Sequence, residues 1–257
     1  MATMLAEPAP AGSTRIGEEE QALRRQLAEF YHLVAYMGWT ELIMNHISVR
    51  LPGTDEYLVN PFGLHYTEIT PDNLIVVGTD GRLRRPSPWA ANPAGFALHG
   101  AIHDTRHDVN CIAHVHGTAV SAVCGKKGGF KHDNFYGAQL YGRIGYHRFE
   151  GVTLYADERE RMIESLGDRH ILVLRNHGVA VCERDVATTF MLLWTVHRAA
   201  EVQAMQDAMA GEDETVDPAI AERCVADALK LTEKSSYARL AFDAQVRIMR
   251  ARTAMPF

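Results

Sequence analysis

The stretch Cys111-Ile-Ala-His-Val-His-Gly117 places two histidines two residues apart at the end of a short apolar run. The run Val109–Ala113 is partly β-branched, which predicts a buried strand. Side chains of a strand alternate between its two faces, so His114 and His116 should point to the same side while Val115 is buried on the other. The spacing therefore predicts that both imidazoles can reach one metal ion.

A third histidine lies far downstream, in Leu174-Arg-Asn-His-Gly178. His177 follows the apolar strand candidate Ile171–Leu174 and precedes a glycine, where a chain reversal can direct its side chain into a cleft. Three neutral imidazoles suit zinc, iron, manganese or cobalt and leave positions open for substrate or water. The His-x-His pair alone is also compatible with chance, because the chain has 13 histidines.

The pattern of the rest of the chain predicts one α/β domain. Residues 1–14 are rich in Ala, Pro, Gly and Thr and predict a disordered tail, and residues 15–257 predict a single domain. Short strand candidates alternate with helices, which favours a sheet covered by helices on both faces. The predicted strands, besides the one before His114, are His46–Leu51, Tyr57–Asn60, Leu74–Val77, Arg143–His147, Ile171–Leu174 and Val179–Cys182. The predicted helices are Gly17–Met37, Pro93–His107, Asp157–Leu166, Asp185–Ala208, Asp217–Thr232 and Ser235–Ala251.

Composition excludes several classes of function. A net charge of −6 without a Lys/Arg block argues against a nucleic-acid partner. The sequence has no apolar run of membrane-spanning length and no signal-peptide pattern, so we expect no membrane partner and a cytoplasmic location. The four cysteines lack CxxC spacing and are expected to be reduced thiols.

Five motifs, taken in order, give the chain a specific resemblance. They are Tyr36-Met-Gly-Trp39, Asn45-His-Ile-Ser-Val-Arg50, Val59-Asn-Pro-Phe-Gly63, Ala94-Gly-Phe-Ala-Leu-His99 and the two histidine motifs quoted above, counted as one. Their order resembles the class II aldolase/adducin family, as does the interval from His116 to His177, 177 − 116 = 61 residues. The resemblance implies a three-layer α/β/α fold with a central mixed, largely antiparallel sheet. It also implies one divalent metal ion (Zn2+, Fe2+, Mn2+ or Co2+) held by His114, His116 and His177, and a homotetramer with active sites between subunits.

The chain departs from the sugar-phosphate aldolases that it resembles. Those enzymes carry Pro-Ser-Ser-Glu before the His-x-His strand, with the Glu as metal partner and general acid/base. Here Gly95 stands where that Glu would be, Pro93 and Ala94 replace the two serines, and Phe62 replaces a loop threonine. Phosphate binding needs exposed N–H groups and hydroxyl donors. These replacements argue against a sugar-phosphate substrate and are typical of the adducin-like branch.

The same alignment suggests further site residues. His99 is a candidate catalytic residue, as a group behind the metal ligands or an extra ligand, although a packed, hydrogen-bonded role is an alternative. Tyr136 is a candidate proton donor from a neighbouring subunit, although the strict alignment falls on Phe135 and an interface aromatic is the alternative. The candidate substrate-binding residues are Asn60, Phe62, Gly95 and Arg175, and for Arg175 a solvated turn is an alternative. His103 and His107 are expected at the surface.

Three classes of function remain open. The first is a metal-dependent C–C lyase, of aldolase or decarboxylase type, acting on a small non-phosphorylated 2-oxo or hydroxy carboxylic acid. Decarboxylation needs no base to start, so loss of the Glu harms it less. The second is a non-heme Fe(II) oxygenase that cleaves an aromatic 2-oxo acid, as in aminocoumarin-pathway relatives. The third is a non-catalytic, adducin-like binding protein.

Overall fold

The structure is a computed structural model that describes residues 17–92, 95–153, 157–234 and 236–257. The predicted tail at residues 1–14 lies outside the described residues. Within the described ranges, no helix is long and apolar enough to cross a membrane.

Seven strands of the described residues form one sheet, in the order β3-β2-β1-β4-β7-β6-β5. The strands are β1 His46–Arg50, β2 Glu56–Val59, β3 Ile75–Gly78, β4 Cys111–Val115, β5 Ile144–His147, β6 Ile171–Leu174 and β7 Gly178–Glu183. Strands β5 and β6 run parallel, and the other neighbours pair antiparallel. This arrangement confirms the predicted mixed, largely antiparallel sheet.

Helices cover both faces of the sheet. They are α1 Glu18–Tyr36, α2 Ala101–Thr105, α3 Thr118–Cys124, α4 Phe135–Ala138, α5 Glu158–Leu166, α6 Val186–Ala208, α7 Pro218–Lys234 and α8 Tyr237–Arg252. Two short segments add a 3-10 turn at Tyr66–Glu68 and a π-helical turn at Phe96–Gly100. Helices α3 and α4 were not predicted, because both are too short to show an apolar period.

Alternation along β4 divides the core into two layers. Cys111, Ala113 and Val115 face a large apolar layer that also contains residues of α1, α6 and α8. Ile112 faces the opposite layer, built with residues of the π-helical turn, α2 and α5, such as Met162. The three-layer α/β/α prediction is thus confirmed, and the even-numbered residues of β4 face the layer of the π-helical turn.

The helix predicted at Pro93–His107 is only partly correct. Pro93 and Ala94 lie outside the described residues, the chain is π-helical over Phe96–Gly100, and α2 ends at Thr105. A Cβ at Gly100 would come within 2.9 Å of the Phe96 ring, so this position requires a glycine. A π-helical turn shifts the register of a helix, and such turns are frequent at functional sites.

His103 corrects a further expectation, because it is buried rather than at the surface, whereas His107 is exposed as predicted. His99 and His103 are four residues apart and share the helix face that meets the sheet. The hydroxyl of Ser48 on β1 contacts one nitrogen of each ring in the interior, Nδ1 of His99 and Nε2 of His103. The sequence could not show that Ser48, far away along the chain, would be the polar partner of the buried His103.

Candidate metal centre

The end of β4 and the β6–β7 turn bring three imidazoles together. One ring nitrogen from each of His114, His116 and His177 lies within 4.8 Å of the others. The Nε2 atoms of His114 and His116 are 2.7 Å apart. The ring centroid of His177 lies 5.1 Å from that of His114 and 4.7 Å from that of His116. The residues that the sequence predicted as one ligand set therefore meet at one point.

Backbone constraints fix these side chains. His177 sits in a tight reversal, after Asn176 with a φ of 55°. A Cβ on Gly178 would lie 2.6 Å from the Val115 carbonyl oxygen and 2.7 Å from the His116 ring, so only glycine fits. The hydroxyl of Ser121, on α3, donates a 2.7 Å hydrogen bond to the carbonyl oxygen of His116 and lies 3.3 Å from the carbonyl oxygen of His177. Both loops are thereby held against the same helix.

The hydrogen bonding of His114 prepares it as a ligand. Its Nδ1 lies 3.0 Å from the carbonyl oxygen of Val179, which can only accept, so Nδ1 carries the proton. The lone pair then remains on Nε2, which faces His116. A backbone carbonyl that fixes a histidine tautomer in this way is the usual outer support of a metal ligand.

The environment favours neutral imidazoles. Burial lowers the pKa of His116 to about 4, with a smaller contribution from neighbouring His177. Burial also holds the pKa of His114 well below its usual range and lowers that of His177. The neutral ring is the form that binds a metal ion. The donor atoms and their protonation state therefore fit one divalent cation.

His46 is a site residue to which the sequence gave little weight. It lies opposite His114 in the antiparallel β1–β4 register, and the two ring centroids are 5.0 Å apart. Its Nδ1 is 2.8 Å from Nε2 of His99. The chain continues from His99 Nδ1 to Ser48 Oγ at 2.6 Å and from there to His103 Nε2 at 2.8 Å. His99 thus lies behind His46 and outside the group of three, in a hydrogen-bonded position.

Gly95 gives space to the His46 ring. A Cβ at position 95 would lie 3.3 Å from two ring carbons of His46 and 3.5 Å from its Nε2. Gly95 has an ordinary helical φ of −59°, so a side chain at this position would be restricted by the nearby His46 ring and not by the backbone conformation. The imidazole of His46 therefore lies beside the position that carries the Glu in the sugar-phosphate aldolases of the family.

The other predicted site residues are distributed more widely. Asn60 is buried, and its Oδ1 accepts a 2.9 Å hydrogen bond from the Tyr31 hydroxyl. Phe62 is 45% exposed. The guanidinium of Arg175 donates to the Lys126 carbonyl at 2.6 Å and stacks on Tyr146, so these contacts already engage it.

Tyr136 lies in a different part of the chain, on α4. Its ring packs edge-on against Trp194 of α6 and lies under the guanidinium of Arg198. It lines a cleft of about 560 Å³ between α4, α6 and α7. Any catalytic contribution from Tyr136 thus depends on the predicted contact with a neighbouring subunit.

Comparison with known proteins agrees with this fold and site. The family model described as "Class II Aldolase and Adducin N-terminal domain" matches residues 25–204. A Pseudomonas aeruginosa protein, described provisionally as an aldolase class 2 protein, is 40% identical over 74% of this chain and 74% of its own length. Alpha-adducin of Rattus norvegicus is 36% identical over 75% of this chain, which covers only 26% of the adducin.

Solved structures show the same relationship. The aldolase II superfamily protein from Pseudomonas syringae has a TM-score of 0.87 at 31% identity, covering 94% of this chain and 97% of that one. The L-fuculose 1-phosphate aldolase from Glaciozyma antarctica has a TM-score of 0.79 at 22% identity, covering 95% of this chain and 94% of its own, and shares the fold. With the family model matched over most of the domain, the chain belongs to the class II aldolase and adducin family.

Proposed function

We propose that this protein is a metal-dependent C–C lyase, of aldolase or decarboxylase type, that acts on a small non-phosphorylated 2-oxo or hydroxy carboxylic acid. The observation that carries the proposal is the meeting of His114, His116 and His177, with the lone pair of His114 Nε2 directed at its partners. Membership of the family supports lyase chemistry, and class II aldolases use a divalent metal. Zn2+, Fe2+, Mn2+ and Co2+ all suit three imidazoles.

A divalent cation at these three histidines supplies Lewis-acid stabilisation of negative charge on a substrate oxygen. The residues of the chain supply shape and proton handling. In the proposed site, a small acid binds beside the three histidines, and the exposed ring of Phe62 is proposed to offer an apolar contact. No carboxylate stands at position 95, so a reaction that begins without proton abstraction is favoured.

His46 is the residue that we assign to proton handling. Its Nδ1 is engaged with His99, whereas its Nε2 has no hydrogen-bond partner among the described residues. The Ser48 hydroxyl can donate to only one of its two histidine neighbours, so the protons of the whole chain are coupled. His46 can therefore accept or hold a proton at Nε2. His99 accepts or supplies the matching proton at Nδ1 of His46 through their hydrogen bond.

The assembly belongs to the same proposal. A homotetramer with active sites between subunits would allow Tyr136 of one subunit to act as a proton donor near the histidines of another. Arg175 is proposed to orient the neighbouring turn, and Asn60 to line the cleft. A cytoplasmic location fits reduced cysteines, since Cys111, Cys124 and Cys182 are free and buried.

Adducin relatives favour a second candidate, a non-catalytic binding protein. None of the relatives named above is described as an oxygenase, so the comparisons give no support to the Fe(II) oxygenase. The deciding experiment is anaerobic purification, elemental analysis and reloading with Zn2+, Mn2+, Co2+ or Fe2+, followed by a screen of 2-oxo and hydroxy carboxylic acids with and without O2. Cleavage without O2 by the zinc or manganese protein supports the lyase. Cleavage that requires both iron and O2 would establish the oxygenase, and a metal-free, inactive protein would favour the binding role.

A further inference from the structure

A second cluster of metal-ligating side chains lies where β5 ends and α5 begins. His147 is the last residue of β5, Glu150 follows in the loop, and Glu158 is the first residue of α5. One ligand atom from each of the three lies within 4.8 Å of the others. The cluster shares no residue with the three-histidine site.

The hydrogen bonds around His147 fix its tautomer. The hydroxyl of Ser165 donates its proton to the Arg161 carbonyl at 2.8 Å. Ser165 Oγ can therefore only accept from His147 Nδ1, which lies 3.1 Å away. A neutral His147 then carries its proton on Nδ1 and its lone pair on Nε2.

That lone pair faces two carboxylates. Nε2 of His147 is buried and has no hydrogen-bond partner among the described residues. It lies 3.4 Å from Oε1 of Glu158 and 3.8 Å from Oε1 of Glu150. His147 and Glu158 are each only 3% exposed, so water does not screen them. Two of these electron-rich atoms, on His147 and Glu158, lie in the interior, and Glu150 reaches them from the exposed loop. A positive charge between the three would stabilise the buried pair.

The separations match a metal ion better than a hydrogen bond. A proton shared between nitrogen and a carboxylate oxygen draws them to about 2.8 Å. Two ligands that each lie about 2.1 Å from a tetrahedral ion are roughly 3.4 Å apart. The 3.4 Å from His147 Nε2 to Glu158 matches this value, and the 3.8 Å to Glu150 is somewhat longer.

Arg161 orients the third proposed ligand, Glu150. Its guanidinium binds both oxygens of Glu150, with Nε 2.9 Å from Oε1, and this hydrogen bonding lowers the pKa of the Glu150 carboxyl. Glu150 is therefore held in one orientation as an anion, and an oxygen that accepts from Arg161 keeps a second lone pair. One nitrogen and two carboxylate oxygens form a donor set that suits zinc and similar transition metals.

We propose that His147, Glu150 and Glu158 form a second divalent-cation site of the zinc class, separate from the three-histidine site. The ion joins the loop after β5 to the first turn of α5, and so anchors that helix to the sheet. This proposal does not depend on the proposed lyase activity.

The test is a Co2+ titration with a variant that lacks the first site. His114→Ala/His116→Ala protein, checked for native secondary structure by circular dichroism, should still bind one equivalent of Co2+ with a visible ligand-field spectrum. Adding Glu158→Gln should weaken that binding at least tenfold. Adding Glu160→Gln is the matched control, because Glu160 is exposed on the same helix and should leave binding unchanged.

Zinc should also raise the Tm of the His114→Ala/His116→Ala protein and of its Glu160→Gln derivative, but not of the Glu158→Gln derivative. His147→Gln provides a second variant with the same expected loss if Glu158→Gln does not fold. The proposal is overturned if the His114→Ala/His116→Ala protein binds no Co2+. It is equally overturned if the Glu158→Gln and Glu160→Gln derivatives bind Co2+ alike.

Discussion

His46 faces His114 across the β1–β4 ladder, with ring centroids 5.0 Å apart, and its imidazole lies against Gly95. The two positions are therefore coupled, because a Cβ at residue 95 would lie 3.3 Å from the imidazole at residue 46, which is a tight contact. The position at which the sugar-phosphate aldolases carry the Glu, Gly95 in this chain, therefore lies against His46 of β1.

The first prediction follows from that contact. Gly95→Glu should destabilise the protein and weaken its metal binding, because the new Cβ would lie 3.3 Å from the His46 ring. His46→Asn, which shortens the side chain, should relieve the conflict in the double variant. Residues in contact show coupling energies of about 0.5–3 kcal/mol, and we expect a favourable coupling in this range. Urea denaturation of the four proteins measures it, and additive effects would contradict the direct contact.

A second prediction concerns the three-histidine site. His114→Ala/His116→Ala should remove one equivalent of divalent metal per chain from the wild-type protein. Because a second site is proposed at Glu158, this measurement is best made in the Glu158→Gln protein. Adding His114→Ala/His116→Ala to that protein gives a triple variant that should bind no metal. His107→Ala provides a matched control, since His107 is an exposed histidine that shortly precedes β4. Metal that persists in the triple variant would refute the ligand assignment.

The sequence predicted the parts of the fold that depend on local pattern. Strand β6 was predicted with its observed bounds, because four consecutive apolar residues between turns are typical of a short buried strand and are too few for a helix. The same-face placement of His114 and His116 also follows from local geometry, since strand side chains alternate.

Other features depend on contacts between distant segments. The position of His46 opposite His114 depends on the β1–β4 register, which no local pattern specifies. The burial of His103 depends on Ser48, a residue 55 positions away. Likewise, the packing of Tyr136 on Trp194 reflects tertiary structure, while its proposed role requires a neighbouring subunit.

The third prediction concerns substrate class. Sugar phosphates should neither bind nor be cleaved appreciably, since Pro93, Ala94 and Phe62 replace residues that bind phosphate in the aldolases. Each lost charge-assisted hydrogen bond removes about 1.5–3 kcal/mol, so several together should reduce affinity by orders of magnitude. Isothermal titration with fuculose 1-phosphate and with a small 2-oxo acid compares the two classes. Tight binding or efficient turnover of the sugar phosphate would show that another loop holds phosphate.

The last prediction is the dependence of stability on pH. Burial lowers the pKa of His103 to about 3, with a smaller contribution from Arg50, whereas an unfolded histidine titrates near pH 6.5. Between these values the unfolded chain binds more protons than the folded one, so stability must fall as the pH falls below about 6.5. This contribution is fully present above the unfolded pKa and is lost as the pH approaches the folded pKa.

His103→Gln, which keeps a polar side chain but cannot titrate, should reduce the slope of the unfolding free energy by up to about 1.4 kcal/mol per pH unit in this window. His107→Gln is the control, because His107 is exposed and should leave the slope unchanged. Urea denaturation of metal-free protein at several values between pH 6.5 and pH 4.5 gives the slopes. Equal slopes for wild type and His103→Gln would mean that His103 is protonated in the folded protein, and the buried Ser48–His103 hydrogen bond would then need a charged donor.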